Sequence, residues 1–180
     1  MELSVFKRSG IKKSENTKIR IDGGVPAVIY GKKQNENIYI NKMEMETVLR
    51  NLPKGSLSTT VFELKGIGKA IIKEIQYHPT SYNLLHVDFA LLEKAPIKVK
   101  VPITVIGEDK CPGIKLGGVL RKVIRSVKVR CLPEHMPKEF VVDIAEMNLG
   151  DSKRLSDIAI PSNIVPMVNL GEVAIVIAKR

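Results

Sequence analysis

Apolar residues in this chain recur mainly at every second position, in short runs closed by glycine, proline or asparagine, a pattern that predicts strands rather than long helices. Leu3 and Val5 alternate with polar neighbours and Ile11 extends the pattern, so residues 2–8 read as a strand. Pro26 to Tyr30 form an apolar run closed by Gly31, with proline where a strand tolerates it. After the polar turn at 32–37, Ile38, Tyr39 and Ile40 predict the second strand of a hairpin. One helix is expected next. Asn41 is its N-cap, Glu44 stands three residues on at capping-box spacing, Met43 and its neighbours fill the core, and Pro53 ends it.

Residues 58–76 predict a hairpin through Gly66 and Gly68, and Leu84 to Leu91 a strand with Leu85, Val87 and Phe89 on one face and His86, Asp88 and Ala90 on the other. At residues 93–96 the polar, proline-ended EKAP interrupts the pattern before a long strand restarts, so a domain boundary is placed there: 1–93 and 94–180. The second half alternates Val and Ile with charge at 97–106 and 127–131, continues through 139–144, a turn with Gly150 and 155–161 to a closing strand at 172–179, and reads as a small sandwich or meander. The fold class expected is mainly β with a few short helices, an α+β chain of two small domains.

Charge changes this picture by its placement. The formal net charge is +10, and residues 1–33 hold eight Lys or Arg against three acids, whereas 34–95 hold seven of each. Residues 7–31 therefore read as a basic arm joined to a β-core, kept from an uninterrupted helix by Gly10, Ser14, Asn16, Gly23 and Gly24. A second cluster, R121KVIRSVKVR130, has five cations and no acid. Two such clusters are the footprint of a polyanion partner. No apolar run approaches a membrane span, the N-terminus lacks a signal-peptide core, and Cys111 and Cys131 read as two reduced hydrophobes of a cytosolic protein.

The inventory for catalysis is thin. His78 and His86 lack partners at metal spacing, His135 reads as a loop residue, and no nucleophile elbow, H-E-x-x-H or C-x-x-C occurs. The GIGK at 66–69 has one residue between its glycines and Ala70 after the lysine, so it is not a phosphate loop. No cofactor, metal or small-molecule substrate is expected. Tyr30, Lys73, Gln76, His78, His86 and Asp88 punctuate apolar strands of the first domain, where polar groups on a sheet face can meet sugars and base edges in a wide RNA minor groove. Core filling is the bland reading of Tyr30. Four Phe, four Tyr and no Trp give little support to a single-strand stacking platform, which favours folded RNA.

Several motifs in one order resemble a known family. These are VPAVIYG at 25–31 behind the basic arm, QYHP at 76–79 with HVDF at 86–89, GGVL at 117–120, CLPEHMP at 131–137 and LGDSKRLSDI at 149–158. Together they resemble the two-domain Ctc type of bacterial large-subunit ribosomal protein 25, over nearly the whole chain. The resemblance implies a first domain folded as a small β-barrel, related to the anticodon-binding barrels of glutaminyl-tRNA synthetase, that sits on the loop E region of 5S ribosomal RNA. The mostly β second domain would be the Ctc-type extension. It further implies that Arg8, Lys13, Lys18 and Arg20 meet phosphates and that Tyr30, Lys73, Gln76, His78, His86 and Asp88 lie in RNA-facing strands. The arm departs from the family pattern at Thr17 and Lys18, where arginines are common, and Lys lacks the bidentate fork.

The expectation is a non-enzymatic structural protein of the large ribosomal subunit in the cytoplasm, with 5S ribosomal RNA as partner and neighbouring large-subunit proteins as further ones. The alternatives are a tRNA-recognition module or a phosphate-handling enzyme. In a third reading the second domain is a separate adaptor that docks onto protein or other RNA through residues 121–130.

Overall fold

A computed structural model describes residues 2–8, 12–31, 35–53, 55–93 and 95–179. It divides into two compact units, Met1–Ala95 and Pro96–Arg180. Both are built mainly from strands, in line with the mainly β class expected from the sequence.

In the first unit, β1 (Glu2–Leu3) and β2 (Val5–Lys7) are followed by α1 (Lys13–Ile21), β3 (Gly24–Tyr30), β4 (Glu36–Asn41), α2 (Lys42–Asn51), β5 (Val61–Leu64), β6 (Gly68–Tyr77) and β7 (Leu84–Leu91). The strands form one sheet in the order β1-β5-β6-β7-β3-β4-β2. The N-terminal segment thus supplies both edge strands: β1 lies parallel to β5, while β2, one residue later, lies antiparallel to β4. A single residue, Ser4, joins the two edges, so the sheet must curl until it nearly closes as a barrel, which hides the edges that an open sheet would expose. The expected strand over 2–8 is therefore two strands that serve opposite edges. Ile11 and Gly10 lie outside the described residues.

The barrel encloses Ile29, Ile38, Ile40, Leu64 and Ile72, with Phe62 and Phe89 meeting edge to face at 6.5 Å between ring centroids. Helix α2 adds the fully buried Met45, but Met43, expected in the core, is 78% exposed. Asn41 caps α2 as expected, its Oδ1 accepting the Met43 N–H at 2.9 Å. Glu44 does not complete a capping box. Its Oε2 accepts the Ser4 N–H at 3.1 Å, which fastens the barrel seam to the helix instead.

The second unit contains β8 (Ile97–Ile106), α3 (Pro112–Lys115), β9 (Val119–Lys122), β10 (Ser126–Cys131), β11 (Phe140–Asp143), β12 (Ser152–Arg154), β13 (Val165–Pro166) and β14 (Val173–Ala178). One sheet has the order β11-β8-β10-β13 and the other β12-β14-β9. Val101, Val127 and Val129 from the first and Ala174, Ile175 and Ile177 from the second share one core, the arrangement of a sandwich. A meander is ruled out because β11 runs parallel to β8. Residues Leu155–Asp157 form a 3-10 turn and not a strand, with Asp157 accepting the Arg154 N–H at 2.9 Å. Cys111 and Cys131 are buried and unpaired, and burial pushes the Cys131 thiol up from its ordinary value. In the GGVL segment Gly118 is required by packing, since a Cβ there would lie 2.6 Å from the Gly113 carbonyl oxygen.

Candidate nucleic-acid interface

Register fixes which side chains share the outer face of the first unit's sheet. Gln76 stands opposite His86 and Glu74 opposite Asp88, while Val28 stands opposite Asp88 and Tyr30 opposite Ala90. Opposed residues point to the same side of a sheet. Tyr30, Gln76, His86 and Asp88 are thereby brought onto one surface across β6, β7 and β3. Val87 and Phe89, the alternate residues of β7, are fully buried as expected, and Leu85 is half-buried.

Three of these groups form a connected network. Asp88 Oδ1 lies 2.7 Å from His86 Nδ1, and Asp88 Oδ2 accepts from the Tyr30 hydroxyl at 3.0 Å. A carboxylate can only accept, so His86 carries its proton on Nδ1. The Tyr30 phenol is raised above its ordinary pKa, chiefly by its hydrogen bond to Asp88 and then by burial and the negative charges of Asp88 and Glu74. A phenol held protonated in this way is a donor and not a nucleophile. Asp88, with both oxygens engaged and its side chain only 18% exposed, orients His86 and Tyr30. Tyr30 is itself exposed, so the core-filling reading does not hold for it.

Helix α1 borders this face. The sequence suggested a turn-rich arm, yet Lys13–Ile21 is helical through Ser14 and Asn16. Tertiary contacts override the weak local preference. Arg8 Nη1 donates to Asn16 Oδ1, the Thr17 hydroxyl donates to the Lys13 carbonyl at 3.2 Å, and Glu15 near the start with Lys18 and Arg20 near the end suit the helix dipole. Gly24 allows the closest approach. A Cβ there would lie 2.7 Å from Ile19 Cγ2 and 3.1 Å from the Ile19 carbonyl oxygen. Beside it a cleft of about 300 Å³ is lined by Phe6, Ile19 and Tyr39, among others.

Arg20 crosses to β7 and donates from Nε and Nη2 to the Leu85 carbonyl at 3.3 and 3.1 Å, next to the His86–Asp88 pair. Lys13 and Lys18 are exposed. Arg8 is half-buried with its Nε unpartnered, and burial, opposed by Glu15 and reinforced by Arg20, lowers its pKa from a very basic starting point.

Two predicted residues sit differently. Lys73 is the extra residue of a β-bulge between Ile72 and Glu74, which lifts it out of the ladder into solvent. His78 lies in the β6–β7 turn, where its Nδ1 accepts from the Thr80 and Ser81 N–H groups at 3.4 and 3.3 Å. That ring helps shape the turn and stands away from the network. Phe6 and Tyr39, not singled out in the sequence, stack at 5.1 Å between centroids on the same outer face. The alternation of I38YI40 predicts which way Tyr39 points, but only the β2–β4 pairing reveals Phe6 beside it.

The 121–130 cluster is divided between sheets. Arg121 and Lys122 lie on β9, Lys128 and Arg130 on β10.

A curled sheet whose hydrogen-bonding outer face is bordered by helical cations defines the chain as a binding protein suited to a polyanion. Residues 3–89 match the Ribosomal L25p family and residues 96–180 match the C-terminal domain of ribosomal protein TL5. The chain is 43% identical over 185 residues to the large ribosomal subunit protein bL25 of Chlamydia abortus and equally to that of Chlamydia pneumoniae, and 42% identical to that of Chlamydia muridarum, in each case covering all of both chains. The chain belongs to the ribosomal L25p family. It is a structural, non-enzymatic protein of the large ribosomal subunit, located on the cytoplasmic ribosome.

Proposed function

We propose that this ribosomal protein binds 5S ribosomal RNA at its loop E region, and that the first domain, taken as residues 1–93, carries the grip while residues 94–180 form a Ctc-type accessory domain. The supporting observation is the placement of α1 alongside the His86–Asp88–Tyr30 network, so that phosphate-neutralising and hydrogen-bonding groups border one surface. In this reading Lys13, Lys18 and Arg20 neutralise phosphates, while Tyr30, Gln76 and His86 meet sugar hydroxyls and base edges in the wide minor groove. Asp88 acts by holding His86 and Tyr30. Lys73 reaches a flanking phosphate from its bulge, Arg8 steadies α1 through Asn16, and His78 holds the β6–β7 turn against the RNA.

The test is a titration of the full chain against 5S ribosomal RNA, with tRNA as competitor, at two salt concentrations. Selective binding that weakens when Lys13, Lys18 and Arg20 are replaced by Ala, with a salt slope shallower by about 0.7–0.9 per lost phosphate contact, supports the assignment. Equal affinity for tRNA would move the tRNA-recognition reading to the front.

A further inference from the structure

The second unit carries a charged surface that the first unit's site does not explain. Strands β8 and β10 are the two central strands of its four-stranded sheet. Their inner face is buried through Val99, Val101, Val127 and Val129. On the outer face Lys128 stands directly opposite Lys100, and Arg130 directly opposite Lys98. All four side chains are exposed, and among the described residues none is engaged in an ion pair. Like charges directly opposite one another destabilise a sheet, and alternation of sign would remove the cost at once. Here the same sign occupies two successive rungs, about 6.7 Å apart along the strands.

The surroundings do not neutralise the patch. Neither β8 nor β10 contains an acid, and residues 158–171, which include the flanking β13, contain none either. Opposite Arg130 on β13 is the exposed Val165. Across the other edge Glu139 accepts from the Thr104 hydroxyl at 2.6 Å, and Asp143 of β11 stands opposite Ile106, at the end of β8 away from Lys98 and Lys100, where its Oδ1 accepts the Ala145 N–H at 2.9 Å.

We infer that the outer face of the β8–β10 sheet is a second RNA-docking surface, built to lie on the phosphate backbone of duplex RNA independently of the α1 site. Two features select that partner. Three of the four cations are lysines, which act as point charges and read phosphate rather than base edges. Phe140 is the only Phe, Tyr or Trp in 96–180, and it is buried, so the sheet face offers no large exposed ring on which a run of unpaired bases could stack. A cationic sheet face of this kind suits a duplex backbone, and a protein of the large ribosomal subunit is surrounded by folded RNA.

The experiment uses the full chain with Lys98, Lys100, Lys128 and Arg130 all replaced by Gln, a 20-base-pair RNA duplex of arbitrary sequence, a single strand of equal length, and poly-glutamate. The expected result is weaker duplex binding with a salt slope shallower by about 3, roughly four contacts at 0.7–0.9 each. The melting temperature is expected to be unchanged or raised, since only like-charge repulsion has been removed. Combining these changes with Lys13→Ala, Lys18→Ala and Arg20→Ala should shift the slope by the sum of the two separate changes. An unaltered duplex slope in a folded variant overturns the proposal, as does loss of poly-glutamate binding alone, which would reassign the face to an acidic protein segment. A larger loss on the single strand than on the duplex also overturns it.

Discussion

Replacing Gly24 by Ala tests whether the docking of α1, and not merely its charge, produces RNA affinity. The backbone of Gly24 lies in a strand conformation open to any residue, so the perturbation is steric. The new methyl would need Ile19 Cγ2 to retreat from 2.7 Å and the Ile19 carbonyl from 3.1 Å, with Tyr39 Cδ2 at 3.3 Å blocking the other side. If α1 stays docked, over-packing costs about 1–3 kcal/mol. If it lifts away, the sheet loses the Arg20 bonds to the Leu85 carbonyl, about 1 kcal/mol net, and the half-burial of Ile19, about another 1 kcal/mol. Either route is offset by about 0.4–1 kcal/mol from the stiffer unfolded chain. The expected net loss is about 1–2 kcal/mol, read as a lower melting temperature for the first unit with its β-sheet circular dichroism retained. A nine-residue helix is too short to persist once released. Freed from the sheet, it loses the fixed positions of Lys13, Lys18 and Arg20. The slope of log affinity against log salt should then be shallower by about 2–2.7, and affinity at 0.15 M salt lower by up to about two orders of magnitude. A variant that melts earlier yet binds RNA with the wild-type slope would refute the claim that a docked α1 forms part of the grip.

Three further outcomes follow from the same geometry. Asp88→Ala strips the acceptor from His86 and Tyr30 and should cost about 1–3 kcal/mol in thermal or urea unfolding. It should also weaken RNA binding although it removes a negative charge; tighter binding would show that Asp88 acts only as a repulsive charge. The raised Tyr30 phenol contributes stability that is complete below the unfolded pKa of about 10 and is lost as pH rises through the higher folded value. Tyr77, raised by burial, acts with the same sign, so melts between pH 9 and 11 should show a shallower decline for Tyr30→Phe but not its abolition. Glu44→Ala should cost about 1 kcal/mol and speed hydrogen exchange at the Ser4 amide, while slow exchange there would mean that the seam does not depend on this bond.

What the sequence disclosed, and what it withheld, divides by range. The β3–β4 hairpin, the Asn41 cap and the buried face of β7 follow from local alternation and turn chemistry, and they stand where expected. Non-local information was hidden. Nothing in residues 2–8 says that Leu3 belongs to one sheet edge and Val5 to the other, because that depends on partners about 35 and 60 positions away. The helix in 13–21 was masked for the same reason: Ser14 and Asn16 weaken it locally, and Arg8, Gly24 and the Leu85 carbonyl support it from outside. At the candidate site, the alternation of β7 placed His86 and Asp88 together, whereas Lys73 was displaced by a bulge that no residue pattern announces. The 121–130 run looked continuous in charge, but the change of sheet between β9 and β10 gave half of it to Lys98 and Lys100.

The strand order also explains why the cations sit on this helix. The chain closes the barrel with β1 and β2 before it builds α1, and α1 leads directly into β3, which lies between β7 and β4. The helix is therefore held between a closing strand and an interior one, and its Arg20 reaches the neighbour beyond. A free basic arm would have to lose conformational entropy when it met its RNA, and affinity would fall accordingly. Here much of that ordering has been done in folding, through contacts that bury no α1 residue completely and leave Lys13 and Lys18 exposed. The helix thus has enough support to be positioned and too little apolar surface to be hidden, which is the combination that the proposed phosphate grip requires.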